Sequence, residues 1–225
     1  MRNLAILIPA AGAASRMLGC DKLLERVDGQ PILRRQTLLA LSLRATVIVT
    51  LRDPDPARCT ALDGLPVTIL AVQDAATGMS ASIRRAAAMI AAASPPPVRG
   101  RVRKGFPALM ILPADMPDLT AADLRLLIAA FDQTPEMILR GSAGTKPGHP
   151  VILPAHLLPE LEKLTGDAGA RSILARHKQL IKLIPLPGQH ALTDLDSPED
   201  WATWRAARAS ASPPPRGEGQ GGGRT

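Results

Sequence analysis

Residues 4–24 read LAILIPAAGAASRMLGCDKLL, and the fold class follows from how this stretch changes character along its length. Leu4, Ala5, Ile6, Leu7 and Ile8 form an unbroken apolar run, the pattern of a strand buried on both faces rather than on one. The run empties into Pro9-Ala10-Ala11-Gly12-Ala13-Ala14-Ser15, a loop of small side chains. Such a loop lets backbone N–H groups approach a ligand closely, and the two cations beyond it, Arg16 and Lys22, suit an anionic one. Neither a Walker A motif nor G-x-G-x-x-G is present, because Gly12 and Gly19 are seven residues apart and no Gly-Lys-Ser/Thr follows. A helix terminus or backbone nest contributes only ~0.3–1 kcal/mol toward an exposed anion. Binding a nucleotide's phosphates therefore requires Arg16 and Lys22 to share the charge. The alternative is a tight strand-to-helix turn with two solvated cations.

Strand and helix patterns alternate through the rest of the chain. A helix is predicted over residues 31–43, with Pro31 at a first position where its missing N–H costs nothing. Strands follow at 45–51 and 67–72, separated by a Pro/Asp-rich loop at 53–56, and a helix is predicted over 79–93 with Met79, Ile83, Ala86, Ala87 and Ile90 on one face. Residues 94–106, SPPPVRGRVRKGF, read as a basic surface loop. The most apolar strand, ALMIL at 108–112, is expected at the centre of the sheet. Thr120 and Asp123 resemble a capping box opening a helix to about 131. Strands at 136–140, 151–153 and 181–186 and a helix over 169–177 capped by Asp167 complete the middle of the chain. Ser197-Pro198-Glu199-Asp200 stacks helix-start signals ahead of Trp201 and Trp204. The alternation predicts one α/β domain over 1–208, with a mostly parallel sheet between helices and ligands at the strand carboxyl ends. The Pro/Gly-rich residues 209–225 read as a disordered tail.

Composition narrows the partners. The 225-residue chain is 46% hydrophobic and only 2% aromatic, with a formal charge of +7. Four of those charges come from Arg99, Arg101, Arg103 and Lys104, and one more from Arg216 and Arg224 against Glu218, leaving two for the body. That distribution and the scarcity of aromatic stacking platforms argue against nucleic acid. Cys20 and Cys59 have neither metal-site nor disulfide-framework spacing, which fits a reducing cytoplasm. The five-residue apolar run before Pro9 is too short for a signal peptide, and no stretch reaches the ~20 apolar residues of a membrane span.

Chemistry-bearing residues cluster after strands. Asp115, in Pro113-Ala114-Asp115-Met116-Pro117-Asp118, ends the most buried strand, where a carboxylate is costly unless paired or bound to a cation. Mg²⁺, which favours oxygen ligands and keeps waters and phosphates in its shell, fits that position; the alternative is an Asp that merely turns the chain. Residues 144–150, GTKPGHP, read as a stiff loop carrying Lys146 and His149 that lines a second substrate's pocket or anchors itself by hydrogen bonds. Gly166-Asp167-Ala168-Gly169-Ala170-Arg171 gives a helix cap at Asp167 and leaves Arg171 as a further anion contact. Asp194 and Asp196 lie two apart on an extended segment, and one of them joins Asp115 on the metal in the functional reading. Residues 73–82, QDAATGMSAS, which include Gln73, Gly78 and Ser80, form another strand-to-helix loop suited to a base or ribose.

Taken in order, PAAGAASRM…DKLL, LPADMP, KPGHPV, GDAGAR and DLDSPEDW resemble the MobA-like nucleotidyltransferases, in particular their molybdenum cofactor cytidylyltransferase branch. The resemblance spans about residues 1–205. It implies a Rossmann-like three-layer α/β/α fold, a divalent metal and transfer of a nucleotidyl group from an NTP to a phosphorylated acceptor. It implies that Ala10, Ala11, Gly12, Ala13, Ser15, Arg16 and Lys22 bind the NTP phosphates, with Arg16, Lys22 and Asp115 catalytic. Gln73, Gly78 and Ser80 would serve the nucleobase, Lys146, His149 and Arg171 the acceptor, and Asp115 with Asp194 or Asp196 would hold Mg²⁺. Ala10-Ala11-Gly12 is similar to the cytidylyl branch, which implies CTP and a molybdopterin-type acceptor, with a molybdoenzyme or its chaperone as a further partner. A sugar- or polyol-phosphate acceptor and a non-catalytic nucleotide- or pterin-binding maturation factor are the rival readings. Leu18 is an extra residue between Arg16 and Lys22 relative to the usual spacing, and the 94–106 loop is longer and more basic than the family pattern.

Overall fold

The computed structural model describes residues 4–12, 17, 20–74, 78–93 and 108–211. Ala13, Ser15, Arg16, Leu18 and the 94–106 loop lie outside these residues. The opening apolar run becomes strand β1 (Leu4–Ala10). Its side chains alternate between two cores: Leu4, Ile6, Ile8 and Ala10 face one, Ala5 and Leu7 the other. That two-sided burial is why the run contains no polar residue.

The β1 strand pairs in parallel with β4 (Thr46–Arg52) on one side and β6 (Ala108–Ile111) on the other. Between β1 and β4 come a two-residue ribbon of β2 (Arg26–Val27) and β3 (Gln30–Pro31), then helix α1 (Ile32–Leu41). Adding β5 (Thr68–Val72), β7 (Ile138–Ala143), β8 (Lys146–Pro154) and β9 (Ile181–Pro185) gives a seven-stranded sheet in the order β5-β4-β1-β6-β8-β7-β9. The predicted central strand, β6, is the fourth of seven. Only β8 runs against the other strands of this sheet. The strand order reverses direction at β1, which creates the crevice where open α/β sheets hold ligands.

One face of the sheet is covered by α1, by α4 (Ala121–Gln133) through Leu124, Leu127 and Phe131, and by α7 (Pro198–Ala211) through Trp201. The other face is covered by α3 (Met79–Ala92) through Ile83, Ala86, Ala87 and Ile90, with α5 (Leu158–Leu161) and α6 (Arg171–Arg176) beside it. The result is the predicted three-layer Rossmann-like arrangement. The α4 start is a reciprocal capping box in which Thr120 Oγ1 accepts from the Asp123 amide and the Asp123 carboxylate accepts from the Thr120 amide. Ser197 and Asp200 repeat the arrangement ahead of α7.

Several local expectations change. The 53–56 loop leads directly into α2 (Pro56–Leu62), whose N-cap is Asp55 and whose first residue is proline; the Asp-Pro pair is itself a helix-start signal. Residues 146–150 are not a loop but the start of the nine-residue β8, which forms a hairpin with β7 around Gly144 and Thr145. Asp167 does not cap α6: the N-cap is Ala170, with no side-chain hydrogen bond. Met79 leaves the apolar face of α3 and is 42% exposed. Residues 209–211, assigned to the tail, are the last three of α7, and 212–225 lie outside the described residues.

Candidate active site

A cavity of about 470 Å³ opens at the carboxyl ends of β1 and β6, a size ordinary for a small-ligand site. Pro9, Ala10 and Gly12 line it from the end of β1, and Pro113, Ala114 and Asp115 from the end of β6. Lys22, Asp196 and Asp167 complete its polar wall, and Gly78, Met79 and Ser82 bring the N-terminus of α3 to its edge. That terminus presents backbone N–H groups without intrahelical partners, a favourable setting for an anion.

Lys22 is the electrostatic centre of the cavity. Its Nζ donates to Asp115 Oδ2 and to Asp196 Oδ1, each at 2.5 Å. Burial of the ammonium is the largest single influence and acts to lower its pKa. The charges and hydrogen bonds of Asp115 and Asp196 together outweigh it, so the pKa is raised from 10.5 and Lys22 is a firm cation at neutral pH. Two carboxylates from segments eighty residues apart in the chain are thereby held to one ammonium.

Backbone bonds fix both acids before Lys22 reaches them. The Leu112 amide donates to the Leu7 carbonyl and extends the β1–β6 pairing by one residue. From α1, Gln36 Nε2 donates to the Met116 carbonyl and Arg35 Nη1 to the Pro117 carbonyl, at 2.6 Å in each case. The Leu195 amide donates to the Asp115 carbonyl, and the Asp196 amide donates to Asp200 Oδ2. Asp115 and Asp196 are therefore tied to each other through main chain as well as through Lys22. Partial burial of the Asp194 carboxyl, with the charges of Asp115 and Asp196, raises its pKa, against a backbone hydrogen bond and Lys22 that lower it. Asp194 belongs to the same acidic mouth, but the Lys22 bond goes to Asp196.

A second polar group flanks the mouth. The register Ile111↔Val151 carries the first residues of β8 past the end of β6, which places His149 at the rim. The His149 amide donates to the Ala191 carbonyl at 2.9 Å, while its buried Nδ1 has no partner. Gly148 is required here, since a Cβ would lie 1.9 Å from the Ala191 carbonyl oxygen. Burial first, then the charge of Arg140, drive the His149 pKa down to about 4; Arg171 lowers it further and Asp115 opposes them. His149 is consequently neutral at pH 7. Arg140 donates from Nε to the Gly148 carbonyl at 2.8 Å, and its own pKa is lowered by burial and by Arg171. Arg140, His149 and Arg171 thus share one electrostatic neighbourhood that also feels Asp115.

The MobA-like NTP transferase domain matches residues 6–180. The chain belongs to the MobA-like NTP transferase family. No curated protein matches its sequence. Among solved structures, it is similar to the Mycobacterium sp. strain JC1 homologue of Mycobacterium tuberculosis Rv0371c, at TM-score 0.74 and 21% identity over 94% of this chain and 100% of that one. A complex of Mycobacterium tuberculosis Rv0371c with manganese gives TM-score 0.66 and 21% identity, covering 89% and 97%. Molybdopterin-guanine dinucleotide biosynthesis protein A from Archaeoglobus fulgidus gives 0.59 and 15%, covering 92% and 98%. At these identities the structures establish the shared fold, and the family match establishes a nucleotidyltransferase domain.

Within this MobA-like fold the predicted site residues separate into groups. Ala10, Gly12, Lys22, Gly78, Asp115 and Asp196 line one cavity. Ala11 is buried beside Val72 and Ala81. Ser80 is fully buried with its hydroxyl donating to the Thr165 carbonyl, and Gln73 is exposed; neither lines the cavity. Lys146 and Arg171 are exposed on the His149 side. Met79 and Ser82, from the 73–82 segment expected to line the pocket, do line it, whereas sequence reading missed Arg58 and Asp167 as lining residues and Arg140 beside His149. Asp167 packs against Gly78, whose φ is +88° and whose added Cβ would sit 2.6 Å from the Asp167 Cα. That glycine marks a close approach of two loops. Among the described residues, no helix is long and apolar enough to cross a membrane.

Proposed function

We propose that the chain is a divalent-metal-dependent cytidylyltransferase that moves CMP from CTP onto the phosphate of a molybdopterin-type acceptor and releases pyrophosphate. The observation that carries this reading is the Lys22 ammonium held between Asp115 and Asp196 at the strand carboxyl ends of a MobA-like domain. Ala10-Ala11-Gly12 and the Gly148-His149-Pro150 element support the cytidylyl branch, to which they are similar.

The donor set fits a hard divalent cation. Asp115 and Asp196 each offer carboxylate oxygen beside the Lys22 ammonium. Among the described residues no three His, Cys, Asp or Glu side chains gather into a closed metal cage. Mg²⁺ or Mn²⁺ held by one or two carboxylates and completed by water and phosphate needs no such cage. When bound, the metal supplies charge neutralisation at the phosphate oxygens of the nucleotide.

An acceptor phosphate oxygen attacks the α-phosphorus of CTP in line; the bond from α-phosphorus to the bridging oxygen breaks, and pyrophosphate leaves with that electron pair. Such a reaction depends on positioning and charge neutralisation, and an ionised phosphate nucleophile needs no general base. Lys22 and Arg16 neutralise charge on the leaving pyrophosphate, and the N–H groups of the 10–12 turn and the α3 terminus orient the triphosphate. The acceptor lies toward β8, where Arg140, Arg171 and Lys146 meet its anionic charge. His149, being neutral, offers a directed hydrogen bond rather than a charge.

Pyrophosphate release is measured with each of CTP, GTP, ATP and UTP, against molybdopterin, molybdenum cofactor and sugar or polyol phosphates, with Mg²⁺, Mn²⁺ or chelator. Release confined to CTP with a pterin phosphate and metal is expected. Turnover with a sugar phosphate instead reassigns the acceptor, and nucleotide binding without any turnover overturns the enzymatic reading in favour of a maturation factor.

A further inference from the structure

Among the described residues Arg58 is the one arginine or lysine that is fully buried, at 1% exposure, and the mechanism above gives it no role. It projects from α2 to the end of β1. Its Nη1 donates to the Ala10 carbonyl at 2.5 Å and to the Gly12 carbonyl at 3.0 Å. Its Nε and Nη2 grip both oxygens of Asp21, at 2.7 and 2.9 Å, in the two-pronged geometry that only a guanidinium provides. Asp55, the N-cap of α2, accepts from the Arg58 amide and keeps a second carboxylate 3.5 Å from Nε.

Arg58 is itself part of the cavity lining, and these bonds shape the lining on either side of it. Fixing the carbonyls of Ala10 and Gly12 toward Arg58 sets the peptide planes of the turn on which the nucleotide's phosphates are proposed to rest. Asp21 Oδ1 also accepts from the Leu23 amide at 3.0 Å, so its carboxylate braces the chain on the far side of Lys22. Arg58 thereby holds Asp21, and Asp21 holds the short turn from which Lys22 reaches Asp115 and Asp196. A buried charge with this many specific bonds is a poor way to gain stability alone, since an apolar side chain of similar volume often serves as well.

We propose that Arg58 is a positioning residue for nucleotide binding, shaping the 10–12 turn directly and aiming Lys22 through Asp21. The inference rests on the reading that this cavity takes a nucleotide. The test uses the full chain with Arg58→Lys, which keeps the charge and loses the fork, and with Asp21→Asn. Binding of CTP with Mg²⁺ is measured by calorimetry, nucleotide and acceptor KM by pyrophosphate release, and local order by hydrogen exchange. The expected result for Arg58→Lys is a nucleotide Kd and KM raised about tenfold or more, with acceptor KM within about twofold of wild type. Amide exchange should accelerate at residues 10–12 and 20–24 while the amides of β4 and β6 keep their protection. The double variant Arg58→Lys/Asp21→Asn should bind no worse than the weaker single variant, because the two residues act as one unit. Unchanged nucleotide affinity in Arg58→Lys, or exchange that rises across the whole chain, overturns the proposal and leaves Arg58 a stabilising residue. If wild-type protein binds none of the four NTPs, it is the nucleotide reading that fails. The exchange pattern then still decides whether Arg58 holds the loop.

Discussion

Asp115 is where a single atom separates the catalytic from the structural reading. Its carbonyl is engaged by Leu195 and its Oδ2 by Lys22, so Asp115→Asn keeps the main-chain tie and a polar partner for the ammonium. Turnover is expected to fall by about 10²–10³-fold, the scale of losing one preorganised electrostatic group, with little change in melting temperature. Near-wild-type turnover would remove Asp115 from the metal and the chemistry. His149 carries a pH signature of definite sign. Its folded pKa is about 4 against 6.5 in the unfolded chain, so between these values the unfolded state binds a proton that the folded state refuses. Stability is complete above pH 6.5 and is lost as pH falls toward 4, by up to about 3 kcal/mol from this one group. Thermal melts of wild type and His149→Gln across that range should diverge, with the variant showing the shallower acid decline. Parallel curves would mean that His149 is not held neutral. The position of Asp115 in the cavity was legible from its place after the most apolar strand. Arg58 was not, because nothing local in Pro56-Ala57-Arg58-Cys59 says that a surface-type side chain turns inward.

Among the elements, α3 shows how a helix is aimed at a site. Gly78 stands at its N-cap with φ +88°, and a Cβ there would strike the Asp167 backbone. Gly78→Ala therefore combines an unfavourable left-handed conformation with a main-chain clash, a cost of about 1–3 kcal/mol for the backbone part alone. The expected outcome is a lower melting temperature together with a raised nucleotide KM, since the α3 terminus must retreat from Asp167. A lowered melting temperature with unaltered KM would separate α3 from the ligand. Periodicity and caps made α3, α4 and α7 readable, and two-sided burial made β1, β4 and β6 readable. Strand β8 was only partly so: its first residues, Lys146-Pro147-Gly148-His149-Pro150, carry turn-forming residue types. They are extended because β7 supplies a hairpin partner and Ala191 fits against Gly148. The Asp167 segment looked like a cap by residue type and became a cavity wall because Gly78 packs on it.

On the scale of the whole molecule, the cavity is assembled from the ends of β1 and β6, the α1-tethered loop 113–118 and the segment before α7. A ligand that spans these parts binds only the folded chain. Saturating CTP with Mg²⁺ at a hundred times its Kd should stabilise the fold by about 2.7 kcal/mol. A rise of several degrees in melting temperature is expected, and excess chelator should abolish most of it. An equal shift with nucleotide alone would argue against a metal between Asp115, Asp196 and the phosphates.

The sequence by itself determined the class of fold, the order of its main strands and helices, and the positions of the small-residue turn after β1 and of Asp115 after β6. Each of these is written in local or periodic information: an apolar run, a cap, a small-residue turn after a buried strand. Only the tertiary structure decided which acid shares Lys22 with Asp115, since Asp194 and Asp196 differ in sequence by two positions but in space by which one Lys22 reaches. It also brought in Arg58, Asp167 and Arg140. Their roles depend on partners distant in the chain, Asp21 and Ala10 for Arg58, Gly78 for Asp167, Arg171 for Arg140. Pairings of that kind arise when the sheet closes around its switch point, and no window of sequence contains them.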